Sequence, residues 1–448
     1  MIGINEKLKK LKDQGKTINV AIAGIGQMGS SLISQMQKMG AFKLSCVANK
    51  NLNKSFNKLK DLGFKENDFH VISMEDKKIS LDARGSYNCK PIMDELNRAA
   101  ASGKVIFTDS LSVLTSVEEV DVVIDATGSP EAGAETAMAA INNKKHVVTL
   151  NVEADVVIGP ILKRFAENAG VVYTVAAGDE PAAIKELFDL ANTLNFEIVA
   201  AGKGKNNPLD RSANPSTLKE YSDLKGASTK MMTSFVDGTK SMEEMTCLSN
   251  ATGLIPDCRG MHAAKADIQD LTSVFIPKKD GGILDKKGIV DFAIGNVAPG
   301  VFLIYTTGQE ILKKELKYLL YGDGPYYLLY RPFHLASMEV PISVAKAYFY
   351  NETTISPMNG PVSEVATVAK KDLKPGDILD GIGGYMVYGL IEQYFIAKNE
   401  NLVPLGLCEN ATVKRAVKKD SLLTYDDVEL KADSVIYKLR KLQESLIY

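Results

Sequence analysis

Lys203, Lys205, Asn206 and Asn207 crowd together in the run AAGKGKNNP. Two ammonium groups and two side-chain amides at that spacing suit an anionic, oxygen-rich ligand, the lysines supplying charge and the asparagines neutral donors and acceptors. An ammonium partly taken out of water holds its proton less tightly. Such a lysine can pass a proton to a carbonyl oxygen as hydride reaches the carbon. The run is not a phosphate-binding Walker loop, because the GxxxxGK[ST] spacing is absent and Asn206 stands where a magnesium-binding hydroxyl is needed. An exposed basic loop would show the same letters. Position favours chemistry: the run follows the apolar pattern Ile198, Val199, Ala200, Ala201. The expectation is a strand that leaves its sheet there, with Gly202 and Gly204 turning the backbone so that both lysines enter one cup.

A second constellation is YGDGPYYLLYRPFHL. Arg331 can grip a phosphate or carboxylate bidentately, and His334 can act as acid, base or neutral donor. The neighbouring Tyr326, Tyr327 and Tyr330 fit a packed core equally well. In GDEP, Asp179 and Glu180 could order a substrate or hold a divalent cation such as Mg²⁺ or Mn²⁺. An acidic cap with Pro181 in the first helical turn explains the same residues. Asp237 and Lys240, three apart, read as a surface ion pair on one helix face.

The elements that must position these groups begin with TINVAIAGIGQMGSSLISQMQKMG. A short apolar strand (Val20, Ile22, Ala23) runs into Gly24, Gly26 and Gly29, then into a helical pattern of Leu32, Ile33, Met36 and Met39. In that order the GxGxxG segment, with Gln27 and Met28 inside it, is a dinucleotide-binding turn: a tight bend, close backbone approach to a pyrophosphate, and close helix–strand packing. Five further strand patterns alternating with helices predict an α/β, doubly wound parallel sheet, a Rossmann domain spanning residues 1–178. Asp125, Ala126, Thr127 and Gly128 follow the fourth of the six strands, and Ala126–Gly128 are expected at the nicotinamide half. An NAD site commonly places an acid about 20 residues beyond the glycines to hold the ribose hydroxyls. Here Asn49 and Lys50 open a run with no acid, which favours NADP, with NAD as the alternative. Beyond Gly178 a central α+β region, residues 179–350, carries both constellations. Residues 216–253 read as mostly helical with Gly253 as the stop. Asn351–Pro361 is turn-forming and reads as a linker. Residues 362–448 contain two similar Lys-Lys-Asp turns and suit a small β-rich module.

Composition excludes several classes. At 448 residues the chain exceeds one comfortable core. Its 53 basic and 55 acidic residues leave no basic field for nucleic acid. No apolar run approaches a membrane span, and the charged start MIGINEKLKKLKDQGK reads as a surface helix. Five cysteines without metal-ligand spacing are expected to be reduced thiols, so a cytoplasmic location is expected and no structural metal centre.

The motifs GIGQMG, GDEP, AGKGKNNP, SFVDGTKSMEEM, NATGLIPD and GDGPYYLLYRPFHL together resemble the homoserine dehydrogenase-related oxidoreductases with an appended SAF domain, among them the 1-deoxy-D-xylulose 5-phosphate reductoisomerase-like enzymes. The resemblance covers almost the whole chain, and AKKDLKPGDIL with TYDDVEL is similar to the SAF module of sialic acid synthases. It implies an NADPH-binding Rossmann domain, a central catalytic and dimerisation domain, a C-terminal SAF domain, and a homodimer or higher homo-oligomer. It also implies a small phosphorylated or carboxylated substrate. The reaction implied is conversion of 1-deoxy-D-xylulose 5-phosphate to 2-C-methyl-D-erythritol 4-phosphate in isoprenoid biosynthesis. Lys203, Lys205, Asn206, Asn207, Arg331 and His334 stand at the family's motif positions. The lysine–asparagine cup departs from true homoserine dehydrogenases and makes homoserine a poor substrate. A dehydrogenase of a homoserine-like or sugar-acid substrate and a non-catalytic NADP-binding sensor are the alternatives.

Overall fold

Seven parallel strands form the first sheet in a computed structural model of the chain, which describes residues 3–74, 90–358 and 360–447. They are β1 (Ile18–Ala23), β2 (Phe42–Ala48), β3 (Phe69–Ile72), β4 (Val105–Thr108), β5 (Val122–Asp125), β6 (His146–Thr149) and β7 (Tyr173–Val175). Their order is β3-β4-β2-β1-β5-β6-β7, so the chain reverses direction across the sheet at β1, as a doubly wound fold requires. Strands buried on both faces read as near-continuous apolar runs, and β4 and β5 do so up to their last residue, while β1 is broken only by Asn19. The sequence gives six of the seven. It misses β3, a four-residue edge strand with Val71 exposed, too short for its alternation to stand out.

Helices α1 (Ile4–Asp13), α2 (Gln27–Met39), α3 (Leu52–Asp61), α4 (Lys90–Ala101), α5 (Leu111–Ser116), α6 (Pro130–Asn142) and α7 (Val152–Ala169) accompany this sheet. The chain divides into two units, and the first comprises Met1–Ala154, Ile161–Gly178 and Leu335–Ser356. The last of these segments includes a late helix, Ala336–Tyr350. Its Val340 and Val344 lie in one core with Val20, Ile22 and Val122, and its Ser343 hydroxyl accepts the Ala177 N–H. The expected linker does not hang free. Ile355 is buried, and its carbonyl accepts the Val175 N–H at 2.9 Å, so this stretch lines the edge of β7.

The second unit comprises Asp155–Pro160, Asp179–His334 and Pro357–Tyr448. It holds α8 (Glu180–Thr193), β8 (Glu197–Lys205), α9 (Lys219–Lys225), α10 (Thr229–Val236), α11 (Thr239–Thr252), β9 (Ile255–Pro256), α12 (Leu271–Val274), β10 (Ile289–Ile294), β11 (Val301–Thr306), α13 (Glu310–Tyr318) and β12 (Tyr326–Arg331), followed in chain order by the late helix, α14. A mixed sheet of order β12-β11-β8-β10-β9 puts β8 at its centre. Gly253 ends α11 in the left-handed conformation, as its sequence signal predicts.

Beyond residue 362 come β13 (Ser363–Ala369), β14 (Val387–Gln393), α15 (Tyr394–Asn399), β15 (Thr412–Val413), β16 (Val428–Glu429) and α16 (Val435–Ile447). The two Lys-Lys-Asp turns pair with each other. Leu373 N–H donates to Val417 and Asp420 N–H to Ala369, while Asp372 accepts Lys419 N–H and Lys418 Nζ. Cys46, Cys247, Cys258 and Cys408 are free thiols, and Cys89 lies outside the described residues, as do Met1, Ile2, Asn359 and Tyr448. Among the described residues no helix is long and apolar enough to cross a membrane.

Candidate functional site

The glycine turn has the geometry its spacing predicts. Gly24 sits at φ +94°, a conformation that favours glycine. A β-carbon on Gly29 would lie 2.1 Å from the Gly24 carbonyl oxygen, so α2 approaches β1 as closely as backbone permits. Gly26 caps α2 with no side-chain hydrogen bond, leaving the positive helix end and its first amides to a pyrophosphate. Gln27 and Met28 form the first turn of that helix. These residues fit a dinucleotide. Gly29→Val is expected to abolish dinucleotide binding by the folded chain, checked by fluorescence titration with NADH and NADPH and with circular dichroism as the folding control.

The turn after β5, expected at the nicotinamide half, is fixed by Asp125, to which the sequence assigned no role. Asp125, buried at the end of β5, accepts the Thr127 N–H at 2.9 Å and its hydroxyl at 2.6 Å, and Asn151 Nδ2 also donates to that hydroxyl. Burial lifts the Asp125 carboxyl to about 6 against the opposing hydrogen bonds from Thr127. Asp125→Ala removes the acceptor for both Thr127 donors. It is expected to weaken NAD(P)H binding about tenfold, the worth of one hydrogen bond to a charged group, measured as Kd. Ala126 backs onto Gly24, and Gly128 follows as open backbone. At the end of β2, Asn49 faces inward: its Oδ1 is 3.5 Å from Ile25 N and its amide bonds Ser55, while Lys50 is exposed.

The lysines stand differently from expectation. They do not follow the end of a strand. β8 continues through Lys205, paired with β10 on one side (Lys203 opposite Phe292, Lys205 opposite Ile294) and with β11 on the other (Lys203 opposite Val301). Spacing of two on a strand puts both side chains on one face. The glycines serve packing, not turning. A β-carbon on Gly202 would lie 2.0 Å from the Asp291 carbonyl oxygen, and one on Gly204 would lie 2.1 Å from Ala298 N. Gly-x-Gly thus seats the opposite face of β8 while the lysines project toward α8, α10 and α11.

On that face Lys203 Nζ donates to Glu180 Oε1 of α8 at 2.5 Å and to Glu244 Oε2 of α11. All three side chains are buried. Burial alone would lower the Lys203 pKa, but the two carboxylates outweigh it and hold the ammonium firmly charged. Burial likewise works against the Glu180 carboxylate, yet Lys203 and His334 together keep it below the usual range. Burial and the Glu180 charge raise Glu244, and burial with both glutamates raises Asp179 well above an ordinary aspartate.

Lys205 is a contrast. Its Nζ donates to the Phe235 carbonyl at the end of α10 and, among the described residues, meets no carboxylate. Burial first, and the Lys203 charge second, lower it to about 8. Two adjacent lysines on one strand face therefore hold different roles: one is locked in charge, the other is poised to titrate.

Of the other residues named from sequence, His334 joins this group. Its Nε2 lies 3.6 Å from Glu180 Oε1, and its Nδ1 is 2.8 Å from the Pro299 carbonyl, an N–H donor's distance. Arg331 instead bonds Glu186 at 3.0 Å with its guanidinium over the Phe333 ring. Asn206 is exposed, and Asn207 Oδ1 accepts from the Tyr221 hydroxyl at 3.3 Å. Asp179 precedes α8 but makes no capping hydrogen bond; it is half-buried, with an oxygen within 4.8 Å of Glu180 and Glu244. Tyr326, Tyr327 and Tyr330 are structural, bonded to Asp280, packed tilted against Tyr305 at 5.5 Å, and bonded to Val297 respectively.

The Asp237–Lys240 surface pair is not formed as expected. Asp237 is wholly buried between α10 and α11, accepts the Thr239 N–H, and lies 2.7 Å from Lys370 Nζ. Glu244, Arg211 and Lys370 were not found from sequence. Glu244 had a signal, an acid among methionines in SMEEM on a helix that is buried nearly throughout. Arg211 and Lys370 had none, because their partners are remote in the chain.

Residues 24–176 match the family model of the homoserine dehydrogenase NAD binding domain. Residues 178–340 match that of the catalytic domain of oxidoreductase DRL. No curated protein matches the chain. Among solved structures, a DOX-P reductoisomerase in complex with NADPH, fosmidomycin and magnesium is 14% identical, with 75% of this chain and 70% of that one covered and a TM-score of 0.41. A dihydrodipicolinate reductase with bound dipicolinate from Paenisporosarcina sp. TG-14 is 15% identical over 75% of this chain and 97% of that one, TM-score 0.36. A probable dehydrogenase from Thermotoga maritima is 13% identical over 75% and 90%, TM-score 0.38. At such identity and TM-score the likeness carries no chemistry over to this chain. The two matched domains, with the glycine turn on one and the lysine strand on the other, make this chain an NAD(P)-dependent oxidoreductase.

Proposed function

We propose that the chain reduces a small anionic carbonyl compound with NADPH, and that Lys205 gives the developing alkoxide its proton. The observation that carries this reading is the state of Lys205: buried on the central strand, bonded to a backbone carbonyl and to no carboxylate, with a pKa drawn down to about 8. A donor near the working pH is mostly protonated yet gives the proton up readily, the condition for general acid catalysis. NADPH, when bound, supplies the hydride.

Arg211 supports an anionic substrate. Its charge is one of those acting on Lys205. Its guanidinium is anchored by the Asp237 carbonyl at 2.6 Å and by the Tyr388 ring at 5.3 Å. Within this reading the specific reaction is reductoisomerisation of 1-deoxy-D-xylulose 5-phosphate, in which a carbon skeleton rearranges and the resulting aldehyde is reduced. The motif resemblance supports it. Lys205 in its neutral form equally serves as the base for oxidising a sugar-acid or homoserine-like alcohol, and that is the second reading. The C-terminal β-rich module is read as SAF-like on its paired Lys-Lys-Asp turns.

A panel of phosphosugars and sugar acids, assayed by loss of NADPH absorbance with and without Mg²⁺ or Mn²⁺, tests the substrate. Turnover of 1-deoxy-D-xylulose 5-phosphate is expected. Its complete inertness, beside turnover of another compound, removes the isoprenoid reading and leaves the oxidoreductase. For the cofactor, NADPH is expected to be preferred over NADH. Lys50→Ala is expected to cut that preference about tenfold, since one charge-assisted contact to the 2′-phosphate is lost; equal kcat/KM ratios before and after would sink the assignment.

A further inference from the structure

Asp179, Glu180 and Glu244 each bring an oxygen within 4.8 Å of the others. Three converging carboxylates are the donor set of a hard divalent cation, and sequence reading raised Mg²⁺ or Mn²⁺ at Asp179 and Glu180. The surroundings do not fit that ion. Lys203 Nζ already donates to Glu180 and Glu244, so an ammonium occupies the oxygens that a cation would need. Its backbone is paired on both sides within the central strand, which aims the side chain at the two glutamates from a fixed base. Further positive groups are close by. Lys240 acts on both Asp179 and Glu244, and His334 Nε2 lies 3.6 Å from Glu180. A divalent ion seated here would stand within a few ångströms of a buried ammonium, where repulsion is poorly screened. To bind, it must first expel Lys203 from two carboxylates that would then lose their partner.

We propose that Lys203 is the resident cation of this carboxylate trio, its ammonium standing where a divalent ion would otherwise bind. The site is thereby charge-balanced from within the chain, and removal of Lys203 opens a metal site. This goes beyond the assignment of Lys205 as proton donor and does not depend on it.

Mn²⁺ binding followed by electron paramagnetic resonance tests it without any substrate. Wild-type protein is expected to show no saturable Mn²⁺ at the trio. Lys203→Ala is expected to gain one site per chain, at least about tenfold tighter than any wild-type binding, and lost again when Glu244→Gln is added. Saturable wild-type binding that Glu244→Gln weakens overturns the proposal. So does a folded Lys203→Ala chain that takes up no Mn²⁺. Should Lys203→Ala fail to fold, Mn²⁺-dependent protection of the wild type against heat, compared with Glu244→Gln, decides: protection lost in the variant overturns the proposal, and no protection in either supports it.

Discussion

Lys205→Met is expected to lower kcat about a thousandfold, within the usual range for loss of a positioned acid, while leaving the Kd for NADPH unchanged and raising thermal stability. The three outcomes share one cause. The Lys205 ammonium is buried with no carboxylate bonded to it, and burial with the Lys203 charge outweighs the more distant Glu244 and Asp237, so its pKa falls from 10.5 to about 8. The unfolded chain therefore binds this proton more tightly than the folded one. At pH 7, below the folded value, the folded state carries the full penalty of about 3 kcal/mol. As pH rises from about 8 toward the unfolded value near 10.5 the penalty is relieved, so this group makes stability rise with pH across that window. Methionine keeps the aliphatic body and removes both charge and penalty. Carbonyl reduction by the wild type should decline above about pH 8, and alcohol oxidation should rise through it. Both inflections should vanish in the variant at saturating substrate. An unchanged profile with residual activity would mean that some other group gives the proton.

The nucleotide unit was legible because its signals are local. Gly24, Gly26 and Gly29 lie on adjacent turns of chain, and the backbone geometry that needs them is made by those same residues and Ala126. The lysine strand was legible in its residue types and misread in its geometry. GKGK contains no β-branched residue, so it looks like a turn. Only the neighbouring strands show why small residues belong there, since Gly202 and Gly204 lie against the backbone of Asp291 and Ala298. Read as strand, the same letters put both lysines on one face, which is stronger than the cup first inferred. Arg331 and the two asparagines show the opposite failure. Their types suit a ligand, yet Arg331 is held by Glu186, and Asn206 stands in the open. Residue type says what a side chain can do, whereas its partners decide whether it is available. Those partners, Glu244 for Lys203 and Phe235 for Lys205, lie on helices that only the fold brings to the strand.

Lys370→Met is expected to destabilise the second unit by about 3–5 kcal/mol, the cost of leaving a buried charge without its partner. Lys370, at the end of β13, is itself buried and divides its ammonium among the Ala213 carbonyl at 2.8 Å, the Gly384 carbonyl at 2.8 Å and Asp237 Oδ2 at 2.7 Å. Asp237 sits between α10, whose Phe235 carbonyl holds Lys205, and α11, which carries Glu244. The C-terminal module thus fixes, through one ion pair, the junction that sets both lysine environments. Removing only the lysine leaves the buried Asp237 carboxylate without its ion-pair partner. Removing both charges, as in Lys370→Met with Asp237→Asn, keeps an acceptor for the Thr239 N–H and should restore much of the lost stability. Unfolding midpoints of the two single variants and the double variant give the coupling directly. A double variant as unstable as the sum of the singles would mean that the residues contribute separately, and that the C-terminal module does not hold this junction through their charge.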